Sequence, residues 1–288
     1  MNLRRHVYNK TFQQIVYIIK QWIRLTSRNR IDLVLFCFLI TFFSIKSYSQ
    51  NNIDQRIIEG LDKTLNFAYD DNINKQVRID SLEKYFTKLN TVENDSSRLR
   101  NKFKIINRFV SLKVDSLQKK YIGKVKREAL KLDDQYNIAK SYNYFGDYYL
   151  NKFVLDSALN YFNKSEKIFR NRNNNQYLSF NYSSKAKLFT YINDYNKALN
   201  YNFQALDQAQ ELDNGLPVLI AYRSIFITLG KLNQPKEAFS YYRKAATVLK
   251  ENKQKLGEYY FSYKAQIHNS MGSVYLKTES YTKAQKLY

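Results

Sequence analysis

Side-chain chemistry needs a base, a nucleophile or a set of metal ligands, and this chain has few residues able to supply one. It contains two histidines, His6 and His268, and one cysteine, Cys37. Histidine is the commonest general base because its ordinary pKa lies near neutrality. His6 precedes a long apolar run, and His268 occupies a register position filled by tyrosine in the segments upstream, so packing is its expected role. Cys37 lies inside the apolar run and has no second cysteine to pair with, which removes a disulfide framework and a cysteine metal cluster. Adjacent carboxylates occur at Asp70 and Asp71 and at Asp133 and Asp134, but both pairs sit at helix boundaries, where acidic side chains cap helix ends. No glycine-rich phosphate loop is present. The expectation is a chain without catalytic residues, cofactor or metal.

Whatever positions its working residues is helical. Seven glycines and two prolines punctuate 288 residues, too few for the tight turns of an all-β chain. The helices also repeat. Tyr142, Gly146 and Tyr149 precede Ala158 and Phe162, and echoes follow at Ala198, Ala238 and Ala284, at successive intervals of 40, 40 and 46 residues. A near-fixed period of this length marks an array of helix pairs, each stacked on its neighbours. Turn chemistry agrees. Asp156 and Asp194 are placed to cap second helices, Pro235 suits a first helical turn, and Gly215 followed by Pro217 is expected to separate two units.

The phrase resembles the tetratricopeptide repeat (TPR), a 34-residue helix pair with bulky and small residues alternating at fixed positions. In the first clear unit Tyr142, Phe145, Gly146 and Tyr149 match on the first helix, and Ala158, Phe162 and Ser165 on the second. The second unit matches with Tyr182, Ala186, Phe189, Ala198 and Ala205, and departs at Lys185 and Asn202, where Tyr201 is expected to fill the gap. The third reads Tyr222, Ile225, Phe226 and Leu229, then Ala238, Tyr242 and Ala245, with a large Phe226 at a small position. The fourth has His268, Met271, Gly272 and Tyr275, then Ala284 and Tyr288. The resemblance implies an all-α, right-handed α-solenoid of stacked antiparallel helix pairs, preceded by an N-terminal signal or anchor helix. Units are expected at about 98–132 (degenerate), 139–172, 179–212, 219–252 and 265–288, the last cut short, with capping helices over 50–97. Each period exceeds 34 by about six residues, which leaves open whether helices or loops are longer.

The formal net charge of +22 raises the question of an anionic partner. Residues 98–131 hold twelve Lys or Arg against Asp115 and Glu128, and Lys119, Lys120, Lys124, Arg127 and Lys131 recur at helical spacing. A solvated helix face looks the same. Lys, Asn, Ile, Tyr and Phe are abundant together, as an AT-rich coding sequence would produce without selection for a basic surface. Nucleic acid is not the expected partner, because the patch lies beyond an export signal.

That signal is the run from Leu33 to Ile45, thirteen residues without a charge, preceded by Arg24, Arg28 and Arg30. It is short for a membrane span. Ser47 and Ser49 precede Gln50 in the small-x-small spacing of a cleavage site, so residues 31–49 read as a signal peptide or signal anchor and 1–30 as a basic extension. In that extension Ile15, Ile18, Ile19, Trp22 and Ile23 form an apolar helical stripe suited to a membrane interface. The expected location is exported, periplasmic or membrane-anchored in a bacterial envelope.

In the TPR family the first helices of the units line a concave groove, and the family positions fall here on Lys140, Asn143, Asp147 and Asn151. Ser183, Lys187 and Tyr191 follow in the second unit, Arg223 and Lys231 in the third, and Asn269, Ser273 and Lys277 in the fourth. The resemblance thus implies a non-enzymatic scaffold for protein–protein interaction that holds a protein or peptide in this groove. The alternative is an extracytoplasmic sensor region of a larger signal-transduction protein, a histidine kinase or a helix-turn-helix regulator, with its output beyond Tyr288.

Overall fold

Helices make up all the regular structure of the described residues, and most of them recur with a 20-residue step. The structure is a computed structural model that describes Ser44, Gln50 and residues 52–212, 215–257 and 259–277. The expected signal segment and basic extension, and the alanine at 284, lie outside the described residues. Among the described residues no helix is long and apolar enough to cross a membrane.

The chain divides into two compact units, residues 1–101 and 102–288. In the first, helix α1 (residues 52–67) and α2 (Lys75–Lys88) bury Ile57, Leu61, Leu65, Ile79, Leu82 and Phe86, and a 3-10 turn follows over Leu89–Thr91. The Asp54 carboxylate accepts from the backbone N–H groups of Glu93 (3.1 Å) and Asn94 (3.4 Å). Arg78 pairs with Asp71 at 2.7 Å. Helix α3 (Asp95–Ser111) runs across the division.

The second unit continues with α4 (Asp115–Lys131), α5 (Gln135–Asn151), α6 (Leu155–Asn171), α7 (Asn175–Tyr191), α8 (Tyr195–Gln210), α9 (Gly215–Lys231) and α10 (Pro235–Glu251). From α3 to α10 the helices start every 20 residues, and all but the 16-residue α8 are 17 residues long. The six residues by which a unit exceeds 34 are therefore helix. The first helices begin at Gln135, Asn175 and Gly215, one helical turn before the expected 139, 179 and 219. Gly215 and Pro217 consequently belong to the first turn of α9 and do not form a spacer between units. A short helix α11 (Lys253–Leu256) and Gly257 at φ 53° interrupt the rhythm, so that α12 (Tyr259–Lys277) starts four residues behind the step.

Three-residue turns join the regular helices except α8 and α9, and one geometry recurs in them. The middle residue is left-handed at Lys113, Asp133, Phe153, Asn173, Asn193 and Asn233, with φ between 48° and 59°. The next N–H reaches back to a helical carbonyl at 2.9–3.0 Å, as from Asp134 to Ala129 and from Val154 to Tyr149. This is a Schellman closure, which satisfies carbonyls that a helix end leaves open. The following residue starts the next helix: Asp134, Asn174 and Asp194 accept through their side chains from the N–H groups of Asn137, Tyr177 and Lys197. Asp194 thus caps as expected, whereas Asp156 does not. Val154 holds the N-cap position of α6, and Asp156 sits inside the first turn, where its charge faces the positive end of the helix.

The core follows the small and bulky register. Ala158, Ala198 and Ala238, with Ser165, Ala205 and Ala245, are completely buried, and Gly146 lies directly over the ring of Phe162. Lys185, at a bulky position, is only 2% exposed. Its ammonium pairs with Glu166, whose other oxygen accepts from Arg170 (2.7 Å) and Tyr182 (3.0 Å). Burial alone would raise the Glu166 pKa, but hydrogen bonds from Lys185 and Arg170 outweigh it and hold the carboxyl below its usual range. Tyr201 stacks on Phe189 at 5.3 Å, beside the buried Asn202 that donates to Thr228 at 2.9 Å.

Candidate partner-binding groove

Because α3, α5, α7 and α9 are the first members of successive pairs, they line up on one side of the second unit and leave a groove of about 890 Å³. Helix α5 contributes Lys140, Asn143, Tyr144, Asp147 and Asn151 to its wall. Across from them, α7 contributes Tyr177, Phe180, Ser183, Ser184, Lys187 and Thr190, and α9 contributes Ile220, Arg223, Ser224, Ile227 and Thr228. Asn107 and Val110 of α3 close one end.

Of the twelve residues expected in a groove, the structure brings seven together: Lys140, Asn143, Asp147, Asn151, Ser183, Lys187 and Arg223. Tyr191 sits at the edge with its ring against Phe153 at 5.4 Å. Lys231 is the exposed last residue of α9. Asn269, Ser273 and Lys277 are exposed on α12, outside this wall. That helix reaches the groove through Ser270, whose hydroxyl accepts from Arg223 Nε at 3.1 Å.

Sequence reasoning missed the apolar and aromatic part of the wall. Tyr177 lies in the extra first turn of α7, which a 34-residue template does not contain. Ile220 and Ile227 share the register of Lys140 and Asp147, 80 residues on, and selecting polar residues passed over them.

The polar side chains are held by one another. Asn181, fully buried on α7, donates to Asn143 Oδ1 at 2.8 Å and to the Phe162 carbonyl at 3.0 Å, which fixes the spacing of the two helices. Ser184 donates to Asp147 Oδ1 at 2.9 Å, and Asn143 approaches Asp147 Oδ2 at 3.4 Å. Lys187 reaches Asn151 at 3.4 Å. The Lys140 ammonium stands over the ring of Phe103 at 4.4 Å and that of Tyr177 at 5.6 Å, so its charge is stabilised by two π faces.

The wall therefore carries three basic side chains and one carboxylate. Burial pushes the Asp147 pKa up to about 6, against the opposing effects of the Ser184 hydrogen bond and the Lys187 charge. Burial also raises the Tyr144 hydroxyl, although Asn107 hydrogen-bonds it, and lowers the Arg223 guanidinium. The wall thus combines the basic side chains of Lys140, Lys187 and Arg223 with Asp147, which is mostly ionised near neutral pH, and with a Tyr144 hydroxyl able to donate or accept.

Among the described residues no three His, Cys, Asp or Glu side chains stand where they could hold a metal ion. His268 is half-buried, its Nδ1 lies 2.8 Å from the Tyr242 hydroxyl, and burial with the nearby Lys264 lowers its pKa.

No family model matches the sequence, and no curated protein matches it either. Solved structures match its fold. Aspartyl phosphate phosphatase F from Bacillus subtilis aligns with a TM-score of 0.58 at 13% identity, over 98% of this chain and 81% of that one. BtubC (BKLC) from P. vanneervenii aligns at 0.52 and 15% identity, over 81% of this chain and 87% of that one. A variant form of the nearly identical TPR-like repeats named for a kinesin light chain of Podosopora anserina aligns at 0.50 and 13% identity, over 68% of this chain and 92% of that one. At these identities the likeness is one of fold.

Proposed function

We propose that this TPR-like array is a non-enzymatic scaffold that holds an extended segment of a partner protein in the groove between α5, α7 and α9. The observation that carries the reading is the wall itself. It is long, open to solvent and lined by side chains from four successive first helices, with hydrogen-bonding amides and hydroxyls between apolar positions. Such a surface suits a peptide backbone better than a compact metabolite, which would bind in a deeper enclosure. Lys140, Lys187 and Arg223 against Asp147 favour a segment with net negative charge. The basic sequence and apolar run ahead of residue 50 support work at a bacterial envelope, exported or tethered.

The test is capture of partners from envelope extract by the full chain, with identification by mass spectrometry. The same experiment uses Lys187→Glu and Arg223→Glu, each checked for an unchanged helical spectrum. Loss of the same partners in both variants is expected. An identical partner set in all three proteins would show that the groove is not the binding surface.

A further inference from the structure

The groove ends at one edge of the second unit, where the turns after α5 and α7 lie side by side. In five of the six left-handed turn positions the residue is Asn, Asp or Lys; the sixth is Phe153, at φ 58°. Asparagine and aspartate tolerate this region, whereas a bulky side chain there is strained. The Phe153 ring is moreover 71% exposed, so its burial does not offset that strain. Beside it Val154, Tyr191 and Ile192 are also exposed, and the Tyr191 ring lies 5.4 Å from that of Phe153. Four large side chains at two adjacent turns, with Tyr191 the last residue of α7, make a patch of the kind that marks an interaction site.

This patch continues the groove. Asn151 and Lys187 line the groove's end, Lys187 reaches Asn151 at 3.4 Å, and its ammonium stands 5.6 Å from the Tyr191 ring. The charges around the edge argue against a bilayer as its occupant. Lys152 is paired with Asp115, and Lys197 is paired with Asp194 at 3.1 Å, so these two lysines come with carboxylates that anionic headgroups would repel.

We propose that Phe153 and Tyr191 form a lip on which the segment held in the groove anchors one apolar side chain, aromatic or branched aliphatic, as it leaves. This rests on the groove reading. It adds a sequence requirement that the groove alone does not impose: an apolar residue at one end of the bound segment, beyond the stretch that meets Lys187. The left-handed turn leaves the Phe153 side chain exposed, where a partner can reach it.

Selection of a random-peptide phage library on the full chain tests this, followed by fluorescence anisotropy of the selected peptides on wild type, Phe153→Gly, Tyr191→Ser and Lys187→Glu. Glycine adopts the left-handed turn without strain, so Phe153→Gly keeps the fold. The expected result is a shared apolar position near one peptide end. Replacing it with alanine should weaken binding to wild type about tenfold and leave binding to Phe153→Gly nearly unchanged. Peptides that depend on Lys187 but bind Phe153→Gly and Tyr191→Ser as tightly as wild type would overturn the lip and leave the groove standing. Failure to select any peptide dependent on Lys187 would overturn both. A parallel flotation assay with phosphatidylglycerol vesicles that carries wild type upward but not Phe153→Gly would assign the patch to a membrane and also overturn the proposal.

Discussion

Replacing Gly146 by alanine should destabilise the native chain and stabilise a chain whose Phe162 has been cut back. In an ordinary mid-helix position the change would add about 1 kcal/mol through helix propensity. Gly146 is not ordinary. A Cβ built on it would lie 2.4 Å from two ring carbons of Phe162 and 3.0 Å from a third, and that ring is fully buried. Overpacking of this kind costs about 1–3 kcal/mol, so the net effect in the native background is a loss of up to about 2 kcal/mol. Phe162→Ala alone should cost about 3–5 kcal/mol by leaving a cavity. In that background the added methyl meets space, and Gly146→Ala should gain about 1 kcal/mol or more. The coupling energy between the two sites is then about 1–3 kcal/mol, the overpacking cost itself, read from urea unfolding of the four proteins followed by circular dichroism. The same sign for Gly146→Ala in both backgrounds, or a coupling below about 0.5 kcal/mol, would refute the idea that this small residue sets the approach of α5 and α6.

Three further outcomes follow from the same contacts. Lys113→Gly should raise stability by about 0.5–1 kcal/mol in urea, since glycine removes left-handed strain of about 1–2 kcal/mol at a cost in unfolded-chain entropy. Glu166→Gln should cost about 3 kcal/mol at neutral pH by leaving the buried Lys185 uncompensated. Because the Glu166 pKa is depressed on folding, its contribution is present above the ordinary value of 4.5 and lost as pH falls through the folded value, so the gap to wild type should narrow in acid. Asp147 has the opposite sign. Its folded pKa of about 6 lies above the ordinary 3.8, so wild type loses stability as pH rises through that window. Asp147→Asn should abolish this loss and be more stable above it by about 1–2 kcal/mol, measured as the difference between the two proteins in urea across the pH range.

The repeat was legible because one of its small positions is kept in every unit described: where helices touch at Ala158, Ala198 and Ala238, a larger side chain would push them apart. The departures at Lys185 and Asn202 were visible as departures, but their solutions were not. The Glu166 partner of Lys185 lies 19 residues away on α6, and Thr228 lies 26 residues beyond Asn202, so both depend on how neighbouring pairs stack. The extra helical turn was hidden for a different reason. A 34-residue template fixes register but says nothing about residues before its first position, and Tyr177 entered the groove from there. Phe153 was unreadable because nothing in one sequence marks a turn residue as left-handed until the Schellman bond from Val154 to Tyr149 is seen.

The uniform turns have a consequence for how such a chain can change. Each three-residue joint is built from backbone bonds and one left-handed residue, and the joints before α5 and before α7 are built alike, with Asp134 and Asn174 capping the helices that follow. Residues 135–174 therefore form a cassette with matching ends. Removing it joins α4 to α7 through a turn of the same kind, and duplicating it lengthens the array without a new type of connection. Growth or loss in steps of 40 residues is neutral for the joints, whereas a single-residue insertion in a helix rotates every later side chain of that helix by about 100° and breaks the stack locally.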